Sequence, residues 1–195
     1  MVEVKEFAAP QINKKEIHRY AGERVPSAEL SQIIDECLPE ILDKLTYKVS
    51  FCKTSVRINK NEVDLGFLRV ESSALAKNLS GCDAAIIFAA TVGLAPDRLV
   101  ARNLVSSPTR ALVFDAIGAE RIESLSDAFC EDIRAKIGNE KKLRPRFSAG
   151  YGDLDIEVQR DIFRLLDCPK NIGLTLTESL LMTPSKSVTA IIGIF

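Results

Sequence analysis

A chain of 195 residues is long enough to bury a sizeable core without a disulfide or metal framework. Its 26 basic and 27 acidic side chains nearly cancel, so it lacks the electrostatic footprint of a nucleic-acid binder, and 46% hydrophobic residues describe an ordinary globular composition. No apolar run reaches the roughly 18 residues that span a bilayer, and the acidic start Met1-Val2-Glu3-Val4-Lys5-Glu6 is unlike a secretory signal, so a cytoplasmic protein with no membrane and no nucleic-acid partner is expected.

Residues 1–13 show no period and read as an extended lead-in, with 1–25 able to form an N-terminal annex to a single domain spanning 1–195. The one histidine, His18, stands in this stretch without the orienting motif that a Ser-His-Asp or Cys-His centre needs, and no catalytic residue is assigned. Ser27 caps a helix in which Leu30, Ile33, Ile34, Cys37, Leu38, Ile41, Leu42 and Leu45 recur at helical spacing. Pro39 inside that pattern predicts a kink or break.

From Tyr47 the period becomes two. Tyr47, Val49 and Phe51 alternate with polar neighbours, then Val56 and Ile58 continue in the opposite phase, which predicts a bulge near residues 53–55. Asn59-Lys60-Asn61 reads as a turn, and Val63, Leu65 and Phe67 as the returning strand of a β-hairpin. Ser72 to Leu79 reads as a short helix, and Ala84 to Val92 as a strand buried on both faces. Pro96 opens another helix. The longest helical pattern follows Ser107-Pro108, with Ile122, Leu125, Phe129, Ile133 and Ile137 on one face and Gly138 as its stop. Gly118 inside it costs about 1 kcal/mol against alanine, which suggests the close approach of another backbone or a ligand. A helix near Glu157 to Leu166 and extended pieces at Leu174 to Thr177 and Val188 to Ile194 complete the chain. Hairpins mixed with long helices, rather than regular βαβ units, predict an α+β fold: a bent, mainly antiparallel sheet with β-hairpins packed against long helices.

The five cysteines, Cys37, Cys52, Cys82, Cys130 and Cys168, are scattered with no Cys-x-x-Cys pair. They read as reduced, mostly buried thiols, and no metal site is assigned. Glu120, Glu123 and Asp127 form an acidic line on the long helix, the pattern of a solvated face.

The C-terminal third carries an ordered series of motifs. Arg146-Phe147-Ser148-Ala149-Gly150-Tyr151 has the form Arg-x-x-x-Gly-Tyr; Leu165-Leu166, Leu176-Thr177-Glu178-Ser179, Met182-x-Pro184 and Ser187-Val188 follow. On the residues alone, the stretch around Gly150 also reads as a strand-to-helix turn capped by Asp153 or Asp155. In order and spacing the series resembles the C-terminal part of the activation domain of cobalamin-dependent methionine synthase. The resemblance implies a stand-alone accessory protein, rather than a self-sufficient enzyme, that binds S-adenosylmethionine and serves the reductive remethylation of that enzyme.

It further implies a cobalamin carried by the partner, since no Asp-x-His-x-x-Gly corrinoid motif is present, and a flavodoxin- or ferredoxin-like electron donor. The methyl donor's carboxylate would meet Arg146; Asp127 and Glu140 match acidic positions of the family; Phe147 and Gly150 belong to the motif; Tyr151, Met182 and Pro184 would face the corrinoid. The chemistry is compatible: a guanidinium grips a carboxylate through two parallel hydrogen bonds, and a glycine admits close approach. The alternative is an assembly module that keeps the fold and the corrinoid partner but no longer binds S-adenosylmethionine, since the family's tyrosines beyond the Ser-Val strand have no counterpart before Phe195.

Overall fold

The computed structural model describes residues 1–138 and 140–195. The chain runs through β1 (Val2–Glu6), α1 (Lys14–Tyr20), α2 (Ala28–Ile41), β2 (Lys48–Ser55), β3 (Arg57–Asn59), β4 (Glu62–Asp64), β5 (Arg69–Glu71) and α3 (Ser73–Asn78). It continues through β6 (Ala84–Thr91), α4 (Ala95–Asn103), α5 (Pro108–Ile137), α6 (Val158–Leu166), α7 (Cys168–Ile172), β7 (Thr175–Leu176), β8 (Met182–Thr183) and β9 (Ser187–Ile194). The class is α+β with antiparallel strands, as expected.

The main sheet has the order β1-β2-β6-β9, every neighbour antiparallel. Alternation along β6 divides the core. Ile86, Phe88 and Ala90 meet Ile122, Leu125, Phe129 and Ile133 of α5 on one face. Ala85, Ile87 and Ala89 share the other face with Val158, Ile162 and Leu166 of α6. Side chains pointing alternately to the two faces of a strand, both covered, explain why β6 reads as a continuous apolar run. The N-terminal half of α5 leaves the sheet and packs with α1, α2 and α4 around Ile17, Ile34, Leu99, Phe114 and Ile117.

Several local expectations change. The lead-in is an edge strand, β1, followed by the short helix α1, whose Asn13 cap the apolar periodicity did not announce. The bulge near residue 54 is absent: β2 pairs with β6 without interruption from Lys48↔Thr91 to Ser55↔Ala84. The phase flip instead marks the passage at Val56 into a second sheet, β3-β4-β5, whose two-residue turn places Lys60 at φ 57°. The returning strand ends at Asp64, and Leu65 to Leu68 make a turn into β5. Pro39 does not break α2 where it stands; the helix continues to Ile41 and tightens into a 3₁₀ turn over Leu42–Lys44. Gly118 meets side chains rather than a ligand, because a Cβ there would lie 2.8 Å from Lys186 Cγ and 2.9 Å from Pro96 Cβ.

Candidate functional site

The segment before α6 lies along β9: Leu143 bridges Ile194, and Phe147 exchanges backbone hydrogen bonds with Ile191 at 2.9 and 2.8 Å. Successive side chains of an extended segment point to opposite sides. Phe147 enters the core on the α6 face, so Arg146 turns to the α5 face. There its Nη2 donates to Glu123 Oε2 at 2.8 Å and to Asp127 Oδ1 at 3.1 Å. Burial opposes the charge of this half-buried guanidinium, but the pull of Glu123, and then of Asp127, outweighs it and raises the Arg146 pKa above the usual arginine value.

Glu123 and Asp127 line a cleft of about 350 Å³ whose other lining residues include Asn13, Tyr20, Glu120 and Ser124. A neighbouring cleft of about 780 Å³ shares Asn13, Ser124 and Asp127 and is bounded by residues 10–15. The acidic line is therefore only in part the solvated face it resembled. Asp127 is exposed, whereas Glu120 is buried beside the fully buried Arg121, with Nε to Oε2 at 2.5 Å. Arg121 donates to the carbonyls of Pro10 at 2.6 Å and Gln11 at 2.8 Å; Glu120 accepts from the Asn13 amide at 3.0 Å and from Ser124 Oγ at 2.7 Å. Burying two charges costs several kcal/mol per ion unless their remaining hydrogen-bonding capacity is met. Here the backbone of residues 10–13 meets it. The sequence did carry a signal for this pair, because Arg121 stands four and eight residues before Leu125 and Phe129, inside the apolar stripe of α5.

Gly150 has φ +87° and donates its N–H to Leu154 O at 2.9 Å, so its freedom serves a turn. Tyr151 is 58% exposed and meets Phe147 edge-on, ring centroids 6.0 Å apart. Asp155 accepts from the Glu157 amide at 2.9 Å at the start of α6. Asp153 instead reaches back to α3, accepting from the amides of Ser73 at 2.8 Å and Ala74 at 3.1 Å and from the hydroxyls of Ser72 and Ser73. These donors hold its carboxyl well below the usual carboxylate range.

The structure thus brings Arg146 and Asp127 together and sets Phe147 edge-on to Tyr151. It does not bring in Glu140, which lies exposed in the turn beyond the C-terminus of α5; Asp127 is already about 15 Å from that end at 1.5 Å per residue. Met182 is half-buried against the α6-side core, and Pro184 is buried, its carbonyl accepting from Ser187 Oγ at 2.8 Å. Of the three residues expected on the corrinoid-facing surface, only Tyr151 is exposed; Leu181 beside Met182 is exposed as well. His18 is buried, with Nδ1 2.9 Å from Glu23 Oε2 and Nε2 3.0 Å from Ser31 Oγ. The five cysteines carry no disulfide, and among the described residues no group of His, Cys, Asp and Glu is placed to hold a metal ion. No described helix is long and apolar enough to cross a membrane.

Residues 83–194 match the family model described as the vitamin B12 dependent methionine synthase activation domain. Among solved structures, the chain is similar to the MetH reactivation domain bound to AdoHcy, at 15% sequence identity and a TM-score of 0.71, over 99% of this chain and 78% of that one. At this identity the likeness is one of fold. No curated protein matches the sequence.

Proposed function

The chain belongs to the activation domain family of vitamin B12-dependent methionine synthase, and from that premise we propose that it binds S-adenosylmethionine and presents the methyl group to a corrinoid held by a partner, as a stand-alone accessory to reductive reactivation. One observation carries the reading: Arg146 is paired at 2.8 and 3.1 Å with Glu123 and Asp127, two carboxylates that line an acidic cleft. The methyl donor is a zwitterionic amino acid joined through a cationic sulfonium to a nucleoside. Its α-carboxylate suits the Arg146 fork, and its ammonium and sulfonium suit Glu123 and Asp127, so that the ligand's charges replace an internal ion pair rather than face bare charge.

The residues of this chain do not fit a corrinoid of their own. The single histidine is buried between Glu23 and Ser31, and no Asp-x-His-x-x-Gly motif surrounds it. In the proposed role the corrinoid supplies the methyl-accepting centre, with one electron from a flavodoxin- or ferredoxin-like donor; this chain contributes binding and orientation. Calorimetry with S-adenosylmethionine and S-adenosylhomocysteine tests the reading, with one site per chain expected. A second reading, an assembly module without the methyl donor, is favoured by the fact that Arg146 is already satisfied by its two carboxylates. Absence of heat and of any thermal shift at millimolar ligand decides for that module.

A further inference from the structure

The main sheet is covered at one edge and open at the other. Beyond β9 lies the segment in which Leu143 bridges Ile194 and Phe147 bridges Ile191. Among the described residues β1 pairs on one side only, with β2, and Glu3, Val4 and Glu6 along it are exposed. The Phe7 amide donates to Tyr47 O at 2.8 Å, towards β2. Backbone groups alternate in direction along a strand, so those of Lys5 and Glu3 also face β2, while those of Val2, Val4 and Glu6 face outwards. A row of unpaired amides and carbonyls is a template for another strand.

We infer that β1 is a dimerisation edge: it pairs antiparallel with β1 of a second copy about a two-fold axis at Val4, joining the two four-stranded sheets edge to edge. The charge pattern selects this register. With the axis at Val4, the outward-facing Val4 meets its own counterpart, Val2 meets Glu6, and Glu3 stands directly across from Lys5 in both symmetry-related positions. Moving the axis one residue either way sets Glu3 against Glu3 or Lys5 against Lys5. Opposite charges directly across a strand pair stabilise it and like charges destabilise it. The Glu3–Lys5 positions are also the non-hydrogen-bonded ones, where facing side chains come closest.

Both faces of the junction suit the pairing. On the α5 face, Lys5 and Lys136 share the single carboxylate of Asp132 at 2.6 and 3.3 Å, which leaves a positive surplus for Glu3 of the second copy. Val2 packs against the α6-side core, and Val4, two residues on, points to the same side with 51% of its surface exposed. Against its counterpart Val4 leaves water. Arg146 stands at the opposite edge of the sheet, so the pairing leaves its cleft open, and the inference is independent of the proposed function.

The experiment is analytical ultracentrifugation of the full chain from micromolar to submillimolar concentration, with residue-resolved hydrogen exchange on the same samples. A monomer–dimer equilibrium weakened by salt is expected. Glu3→Lys, an exposed position, places like charges together twice and should raise the dimer dissociation constant about tenfold or more. Val4→Pro removes an outward amide without touching the ladder to β2 and should abolish the dimer. Exchange at the Val4 and Glu6 amides should slow as concentration rises, and at Glu3 and Lys5 stay constant. If Val4→Pro lowers thermal stability, Glu3→Lys and the exchange pattern decide. A monomer at every concentration overturns the inference. So does a dimer indifferent to Glu3→Lys that leaves exchange at Val4 and Glu6 unchanged, because its interface then lies elsewhere.

Discussion

Arg146 shows how much a single side chain carries here. Its guanidinium is half-buried, and Nη2 alone serves both Glu123 and Asp127. A lysine can keep one of these ion pairs but cannot offer a carboxylate two parallel donors. Arg146→Lys is therefore expected to weaken S-adenosylhomocysteine binding by about 1.5–3 kcal/mol, the worth of charge-assisted hydrogen bonds, with the fold retained. Calorimetry and circular dichroism check this together; an unfolded variant, or one with unchanged affinity, would make Arg146 structural. Asp153 poses a different question. Its carboxyl accepts from Ser72, Ser73 and Ala74, and its folded pKa is depressed below the ordinary 3.8, foremost by the Ser72 hydroxyl and then the Ser73 hydroxyl. A depressed carboxyl adds stability that is present above 3.8 and lost as the pH falls towards the folded value. Asp153→Asn should thus be less stable than wild type at neutral pH and lose less on acidification below about pH 4. Urea midpoints measured across pH 2–7 check this, and parallel curves for the two proteins would refute it.

At the scale of elements, α5 organises the molecule. Its C-terminal half covers one face of the sheet, its N-terminal half joins the helical cluster, and its middle holds the backbone of residues 10–13 through Glu120 and Arg121. Gly118 packs against Pro96 in the first turn of α4. Alanine there gains about 1 kcal/mol of helix propensity, but its methyl would meet Pro96 Cβ at 2.9 Å and Lys186 Cγ at 2.8 Å. The lysine stem can move aside; the proline ring in the first turn of α4 cannot. Overpacking of this kind costs about 1–3 kcal/mol, so Gly118→Ala is expected to be destabilising by roughly 1 kcal/mol net, read from chemical denaturation. A stabilised variant would show that α4 shifts freely. The passage from β2 to β3 teaches a related lesson. A reversed phase in an alternating run marks either a bulge or a change of sheet, and periodicity within one strand carries no information about which partner waits beyond Ser55. Pro39 was equally ambiguous, since the loss of one amide near a helix end is absorbed by tightening the last turn into 3₁₀ geometry.

At the scale of the whole molecule, the proposed partner has to meet a surface, and the exposed apolar groups of the motif region are Tyr151, Ile156 and Leu181 rather than Met182 and Pro184. Docking on a corrinoid protein is expected to be transient and to favour the oxidised cob(II)alamin state over methylcobalamin, because binding shifts an equilibrium only through differential affinity. Tyr151→Ala should weaken it without lowering thermal stability. A spectroscopic titration with a cognate corrinoid protein in each cofactor state reads both effects. Equal binding to both states, or none at tens of micromolar, would leave the reactivation role unsupported.

The sequence by itself determined the α+β class, the doubly buried β6, the reach of α5 and the family, because each rests on short-range periodicity or on an ordered run of motifs. The pairing of Arg146 with Glu123 and Asp127, 23 and 19 residues away, was not legible, nor was the hold of Arg121 on Pro10 and Gln11 across 111 and 110 residues. Only the tertiary structure decided that Glu120 is buried while Asp127 is exposed, although both belong to one acidic line, because burial depends on what crosses the helix from elsewhere in the chain. The same reason moved Asp153 from its neighbouring helix to α3, where the turn at Gly150 carries it against Ser72 and Ser73. A carboxylate finds the amides that the fold leaves unpaired nearby, and those lie far along the chain.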